Sequence, residues 1–221
     1  MYDLIYFIVT NKEIMKINEL IKAVTKDYMP VKKAIIEARN NGHLISSELE
    51  CTYFETNTTL ELYKIIKSAF MEEAVKNKPM IKALIDEGKL TFHMEKAEKD
   101  NGEVVEVMVI NQSMDERIDL VAEDVQQAIL EKMVKAHKEN IKTYDRPGYE
   151  DMLKKEQFEL TVLEKFLPKE ATREDIVEYI DKNYPSGIDA KAMGKVIGEV
   201  KRAFQRADGK LIAECVKSKI A

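Results

Sequence analysis

The sequence has no tryptophan, two cysteines, three histidines, five prolines and eight glycines among its 221 residues. Each scarcity excludes something. So few glycines and prolines supply too little turn chemistry for an all-β fold, so helix should dominate. Cys51 and Cys215 lie far apart without a CxxC, which signals neither a disulfide framework nor a zinc site. His43, His93 and His137 sit in different segments with no HExxH, and there is no P-loop, GxGxxG or GxSxG. The carboxylates follow solvated helix faces rather than a pair held in an apolar pocket. Cys215, beside Ile212 and Val216, reads as core. No catalytic set, cofactor or metal is expected.

Long apolar runs are also missing. The opening Met1–Thr10 is apolar, but it is too short to span a bilayer and carries no basic n-region. It reads as a core helix of a soluble, cytoplasmic protein without a membrane partner. The net charge of −5 argues against a chain that is basic all over. That average hides an asymmetry, because residues 189–221 hold eight basic side chains against four acidic ones. A local basic patch on an acidic protein can bind nucleic acid while distant acids suppress indiscriminate binding.

Residues 1–57 read as helix, helix, helix and hairpin. Leu4, Ile5, Ile8 and Val9 fit one helical face, and Ile17, Leu20, Ile21 and Val24 fit a second. Thr25-Lys-Asp27 breaks the pattern. Asp27 can cap a third helix with Pro30 in its first turn, stopping at Asn40-Asn-Gly42. His43–Ile45 and Leu49–Phe54 then read as two short strands. This is the order of a winged helix-turn-helix domain, which Ala34–Ile45 resembles in pattern. Lys26, Lys32, Lys33 and Arg39 lie on or beside its expected recognition helix and form a second candidate nucleic-acid face, able to meet DNA. Glu48, Glu50 and Glu55 on the wing oppose phosphate contact. Docking on protein is the alternative use.

From Thr58 the helical period returns. Within the region 58–168, Leu90, Phe92 and Met94 alternate with polar residues, Asp100-Asn-Gly102 signals a turn, and Val105, Val107 and Val109 alternate again. A β-hairpin near 89–110 is expected. Beyond it everything reads helical. Leu167-Pro168 marks a hinge, and residues 169–221 read as three short helices, the first with a capping box at Thr172 and Asp175.

Three phrases in this half carry a family likeness: Leu163-Glu-Lys-Phe-Leu-Pro168, Ala192-Met-Gly-Lys-Val-Ile-Gly198 and Arg206-Ala-Asp-Gly-Lys210. Their order and spacing resemble the YqeY proteins and the tail domain of GatB, the B subunit of tRNA-dependent amidotransferase. The likeness covers about residues 115–221, with a possible extension back to Thr58. Gln205 stands where the family commonly has glycine, Tyr149 where it often has arginine, and the hairpin is no part of the usual pattern. The resemblance implies a helical, non-catalytic module that faces tRNA or a tRNA-dependent enzyme.

The residues of that module fall into two groups. Gly194 and Gly198, four apart on one helix, permit a close backbone approach, with tight internal helix packing the favoured use. Asp208 before Gly209 reads as a helix N-cap. Around them Lys191, Lys195, Lys201, Arg202, Arg206 and Lys210 form the first candidate nucleic-acid face. Duplex RNA is held largely through phosphates and 2′-hydroxyls, a task that suits a field of Lys and Arg. The expectation is a mainly α protein with an N-terminal winged helix, a hairpin insertion and a C-terminal YqeY-like bundle. Its expected role is an adaptor for tRNA or structured RNA. A DNA-binding regulator and a protein-interaction module are the alternatives.

Overall fold

A computed structural model describes residues 16–168, 171–204 and 206–220. They are mainly α-helical, with one two-stranded antiparallel sheet. The chain divides into two compact units between Leu167 and Pro168. No helix among the described residues is long and apolar enough to cross a membrane.

The first unit begins with α1 (Ile17–Asn40) and α2 (Ser47–Lys76), two long helices packed along each other. After α3 (Lys78–Asp86) come β1 (Phe92–Glu98) and β2 (Val104–Ile110). The helices α4 (Met114–Asp119), α5 (Glu123–Tyr144) and α6 (Glu150–Glu164) complete it. The core is built on α2, whose Leu62, Tyr63, Ile66, Phe70 and Ala74 are buried with Ile17 and Leu20 of α1, Leu130 and Val134 of α5, and Val162 and Leu163 of α6. At about 100° per residue the buried positions of α2 cover more than half its circumference. A helix so apolar must be surrounded. Accordingly α1, α3, α4, α5 and α6 all lie against it.

The winged-helix expectation fails here. Where a break was read at Thr25–Asp27, α1 runs on unbroken, and the Thr25 hydroxyl donates to the Ile21 carbonyl at 2.7 Å inside the helix. The apolar face of Ile17, Leu20, Tyr28 and Ile35 continues through the polar residues, and its burial outweighs the local stop signals and the loss of one amide at Pro30. The expected strands His43–Ile45 and Leu49–Phe54 are also absent. Ser46 instead caps α2 by accepting from the Leu49 amide at 3.2 Å, which draws Leu49–Phe54 into the helix. The Tyr53 ring then lies tilted against that of Tyr28 at 5.9 Å, and Phe54 meets Phe158 edge-on at 5.5 Å. The boundary expected at 57/58 falls within α2. The helix expected over Leu4–Val9 lies outside the described residues.

The hairpin is present as read. Phe92 pairs with Ile110, Met94 with Met108 and Glu98 with Val104, and Gly102 takes the left-handed backbone (φ +79°) that its turn demands. At its base the Asn111 amide donates to the Thr91 carbonyl at 2.9 Å, and the Thr91 amide to Gln112 Oε1 at 3.0 Å. No other helix or strand of the described residues lies against the hairpin, and Phe92, Met94, Val104 and Met108 stand exposed.

The second unit holds α7 (Arg173–Asn183), a 3₁₀ turn (Ala190–Ala192), α8 (Met193–Ala203) and α9 (Gly209–Lys217). The capping box at Thr172 and Asp175 starts α7. Ile176 and Ile180 of α7, Ile188, Val196 and Val200 of α8, and Ile212, Cys215 and Val216 of α9 form its separate core.

Two substitutions test the α2 core. Phe70 is fully buried, so Phe70→Ala should lower stability by about 3–5 kcal/mol in chemical denaturation. Tyr63 is also fully buried, burial pushes its hydroxyl pKa up to about 12, and that oxygen has no hydrogen-bond partner among the described residues. Tyr63→Phe should therefore raise stability by on the order of 1 kcal/mol, since an unpaired buried hydroxyl is costly.

Candidate nucleic-acid interface

The first candidate face is organised by α8. Its inner side carries buried Val196 and Val200, with Met193, Ile197 and Phe204 partly buried against the same core. At about 100° per residue, Gly194, Gly198, Arg202 and Lys195 fall together on the opposite side, with Lys201 at its flank. Gly198 is half-buried and the other four are exposed. Lys201 and Arg202 make no ion pair among the described residues. Lys195 stands 3.7 Å from Glu199 but is itself 81% exposed, so this pair is weak. Glu199 also accepts a hydrogen bond from the Tyr184 hydroxyl, which holds the tyrosine pKa above its ordinary value.

The two glycines do not serve internal packing. A Cβ built on Gly194 or Gly198 meets nothing within 4 Å, so the tight packing favoured from their spacing is absent. What they leave instead is a strip of bare helix backbone between cationic side chains, open to the outside. Lys191 is exposed on the 3₁₀ turn, where its amide donates to Asp189.

The remaining expected residues divide differently. Asp208 is the N-cap of α9 and accepts from the Lys210 amide at 2.6 Å, leaving the Lys210 side chain exposed. Gly209 opens that helix. Arg206 is half-buried and donates through Nη1 to the Pro168 carbonyl, so it ties the chain together rather than presenting a free cation. The departure noted at Gln205 lies outside the described residues.

Lys26, Lys32, Lys33 and Arg39 are exposed, but on the middle and end of the long α1, with no wing beside them. Lys33 pairs with Glu37 at 3.7 Å, and the Lys32 ammonium lies 5.5 Å from the Tyr28 ring. The structure thus brings the α8 residues into one face and spreads the α1 residues along a helix.

One polar cluster went unseen in the sequence. His137 of α5 meets Glu156 and Glu159 of α6: His137 Nδ1 is 2.6 Å from Glu156 Oε2 and 3.7 Å from Glu159 Oε2. Glu159 is only 4% exposed, and burial raises its pKa. Lys155 donates to Glu61 of α2 at 3.0 Å, which lowers the pKa of Glu61. Ligand-spacing rules miss this cluster because its members come from adjacent helices joined by a turn. The readable signal was Glu156 and Glu159 three apart on one helix, with Glu159 on the inward side.

A family model described as Yqey-like protein matches residues 87–220, more than half of the chain. The matched span starts ahead of the hairpin and so includes it, although the hairpin was read as foreign to the family. No curated protein matches the chain.

The open glycine strip gives a clear test of sign. Gly194→Ala and Gly198→Ala should each raise thermal stability by about 0.5–1 kcal/mol, because alanine loses less backbone entropy in a helix and here meets no neighbour. Destabilisation would mean that the strip is packed from within after all.

Proposed function

The chain belongs to the YqeY family, and from that premise we propose that it is a non-catalytic adaptor that binds tRNA or another structured RNA through the exposed face of α8. The observation that carries this reading is the pairing of an open backbone strip with unpaired cations. Gly194 and Gly198 remove the side chains that would keep a ribose-phosphate chain away from the helix. Arg202 and Lys195 share that face with Lys201 at its flank, and Lys191 and Lys210 add further exposed charge in the same unit. A-form RNA offers phosphates and 2′-hydroxyls rather than readable base edges, so shape and charge suffice. The likeness to the GatB tail domain points the same way. On this reading the protein works in the cytoplasm, and its overall charge of −5 limits indiscriminate binding.

The DNA-regulator reading has lost its wing. Contact with a protein, such as a tRNA-dependent enzyme, is favoured by a separate feature: the hairpin exposes Phe92 (45%) and Met94 (51%) with Met108 and packs on no other element among the described residues. It serves here as the second reading.

Purified protein should bind total tRNA with an affinity that falls steeply with salt. The double reversal Lys201→Glu and Arg202→Glu should abolish most of that binding. It should also flatten the salt slope by about one for each phosphate that the reversed side chains no longer neutralise. Gly198→Leu should weaken binding at unchanged charge. Equal binding by all these variants, or none by the wild type near physiological salt, would end the proposal.

A further inference from the structure

The cluster between α5 and α6 has the makings of a cation site. Its three possible ligand atoms, His137 Nδ1 and one carboxylate oxygen each from Glu156 and Glu159, lie within 4.8 Å of one another. Glu159 is almost wholly buried and makes two long ion pairs but no hydrogen bond. Its Oε2 stands 3.7 Å from the imidazole and its Oε1 3.9 Å from the Lys155 ammonium, both outside hydrogen-bond reach. A mostly buried carboxylate held only by long ion pairs gains from a cation that coordinates it directly.

We infer that His137, Glu156 and Glu159 bind one zinc(II)-like divalent cation that clamps α5 to α6. The donor set is one imidazole and two carboxylates, which suits a first-row divalent metal. Ligand atoms about 2.0–2.2 Å from a tetrahedral zinc stand about 3.3–3.6 Å from one another. The observed 2.6 Å and 3.7 Å separations from His137 Nδ1 bracket that range, and all three atoms lie within 4.8 Å of one another. Three carboxylates, those of Glu61, Glu156 and Glu159, lie around the Lys155 ammonium, with Lys64 as a second cation beside Glu61. With a neutral imidazole the cluster is left net negative, which favours a cation.

The groups around the site allow this. Lys155 approaches the other oxygen of Glu159, and it is anchored to Glu61 at 3.0 Å on a side chain 45% exposed. Asn140 donates to Glu156 Oε2 at 3.2 Å and orients that carboxylate. His137 and Glu156 are each about one-sixth exposed, which gives the ion an entry path. Binding requires the Nδ1 lone pair. A proton on that nitrogen transfers to Nε2, or to solvent if the ring starts as an imidazolium.

The test uses the full chain, stripped of metal and dialysed against zinc chloride. One equivalent should be taken up. Glu159→Gln and His137→Gln should weaken uptake by more than the roughly 10–100-fold typical of losing an outer-sphere partner. His93→Gln, at the exposed His93–Glu95 pair, should leave it unchanged. Imidazole NMR signals of the wild type give a reading that needs no variant: of the three histidines, His137 alone should shift as zinc is added. Absence of a saturable equivalent, uptake unchanged in both ligand variants, or a shift confined to His43 or His93 would overturn the site.

Discussion

The first unit is arranged around one requirement, that α2 hide an apolar arc wider than any single neighbour can cover. Phe70, Ile66 and Tyr63 have no exposure at all, and closing over them takes helices from both sides in sequence, α1 before and α5 and α6 after. The requirement explains why α1 runs through Asp27 and Pro30 without stopping. A break there would uncover Tyr28 and Ile35 on one side and the α2 arc on the other. Burial of several large side chains outweighs the loss of one backbone hydrogen bond. It also explains the fate of Leu49–Phe54, whose aromatic rings are used against α1 and α6 instead of in a sheet.

The sequence was most legible where signals were local and reinforced one another. The hairpin had alternation on both arms and a glycine where a left-handed residue was needed. The α7 cap had its two polar partners three residues apart. The N-terminal region misled because its signals were local too, while the decision was not. Thr25, Asp27 and Pro30 each say stop, yet the apolar positions 17, 20, 28 and 35 keep helical spacing straight through them. The β-prone run around Tyr53 and Phe54 is overridden in the same way by the Ser46 cap and the partners beyond it.

The candidate RNA face was half legible. Its charges could be named from the sequence, but not which of them remain free. Arg206 and Lys201 look alike in one dimension, whereas in the fold one is engaged with main chain and the other is not. The meaning of Gly194 and Gly198 also depends on what stands opposite them, which no spacing rule supplies. The His137 cluster was hidden for a related reason: residues 19 apart become neighbours only when α5 and α6 fold back on each other. Both features belong to surfaces between or outside helices, whereas periodicity reports mainly on the faces turned inward.

The hairpin is joined to the rest in an unusual way for a part of the family-matched span. Thr91 and Asn111 meet across its base, so the chain leaves the helical unit and returns to it at one spot. Everything between those two residues is an excursion that the helices neither support nor need. Its length and its sequence are therefore under separate constraint from the bundle. A different loop can be grafted at that base with no rearrangement of the core that carries it.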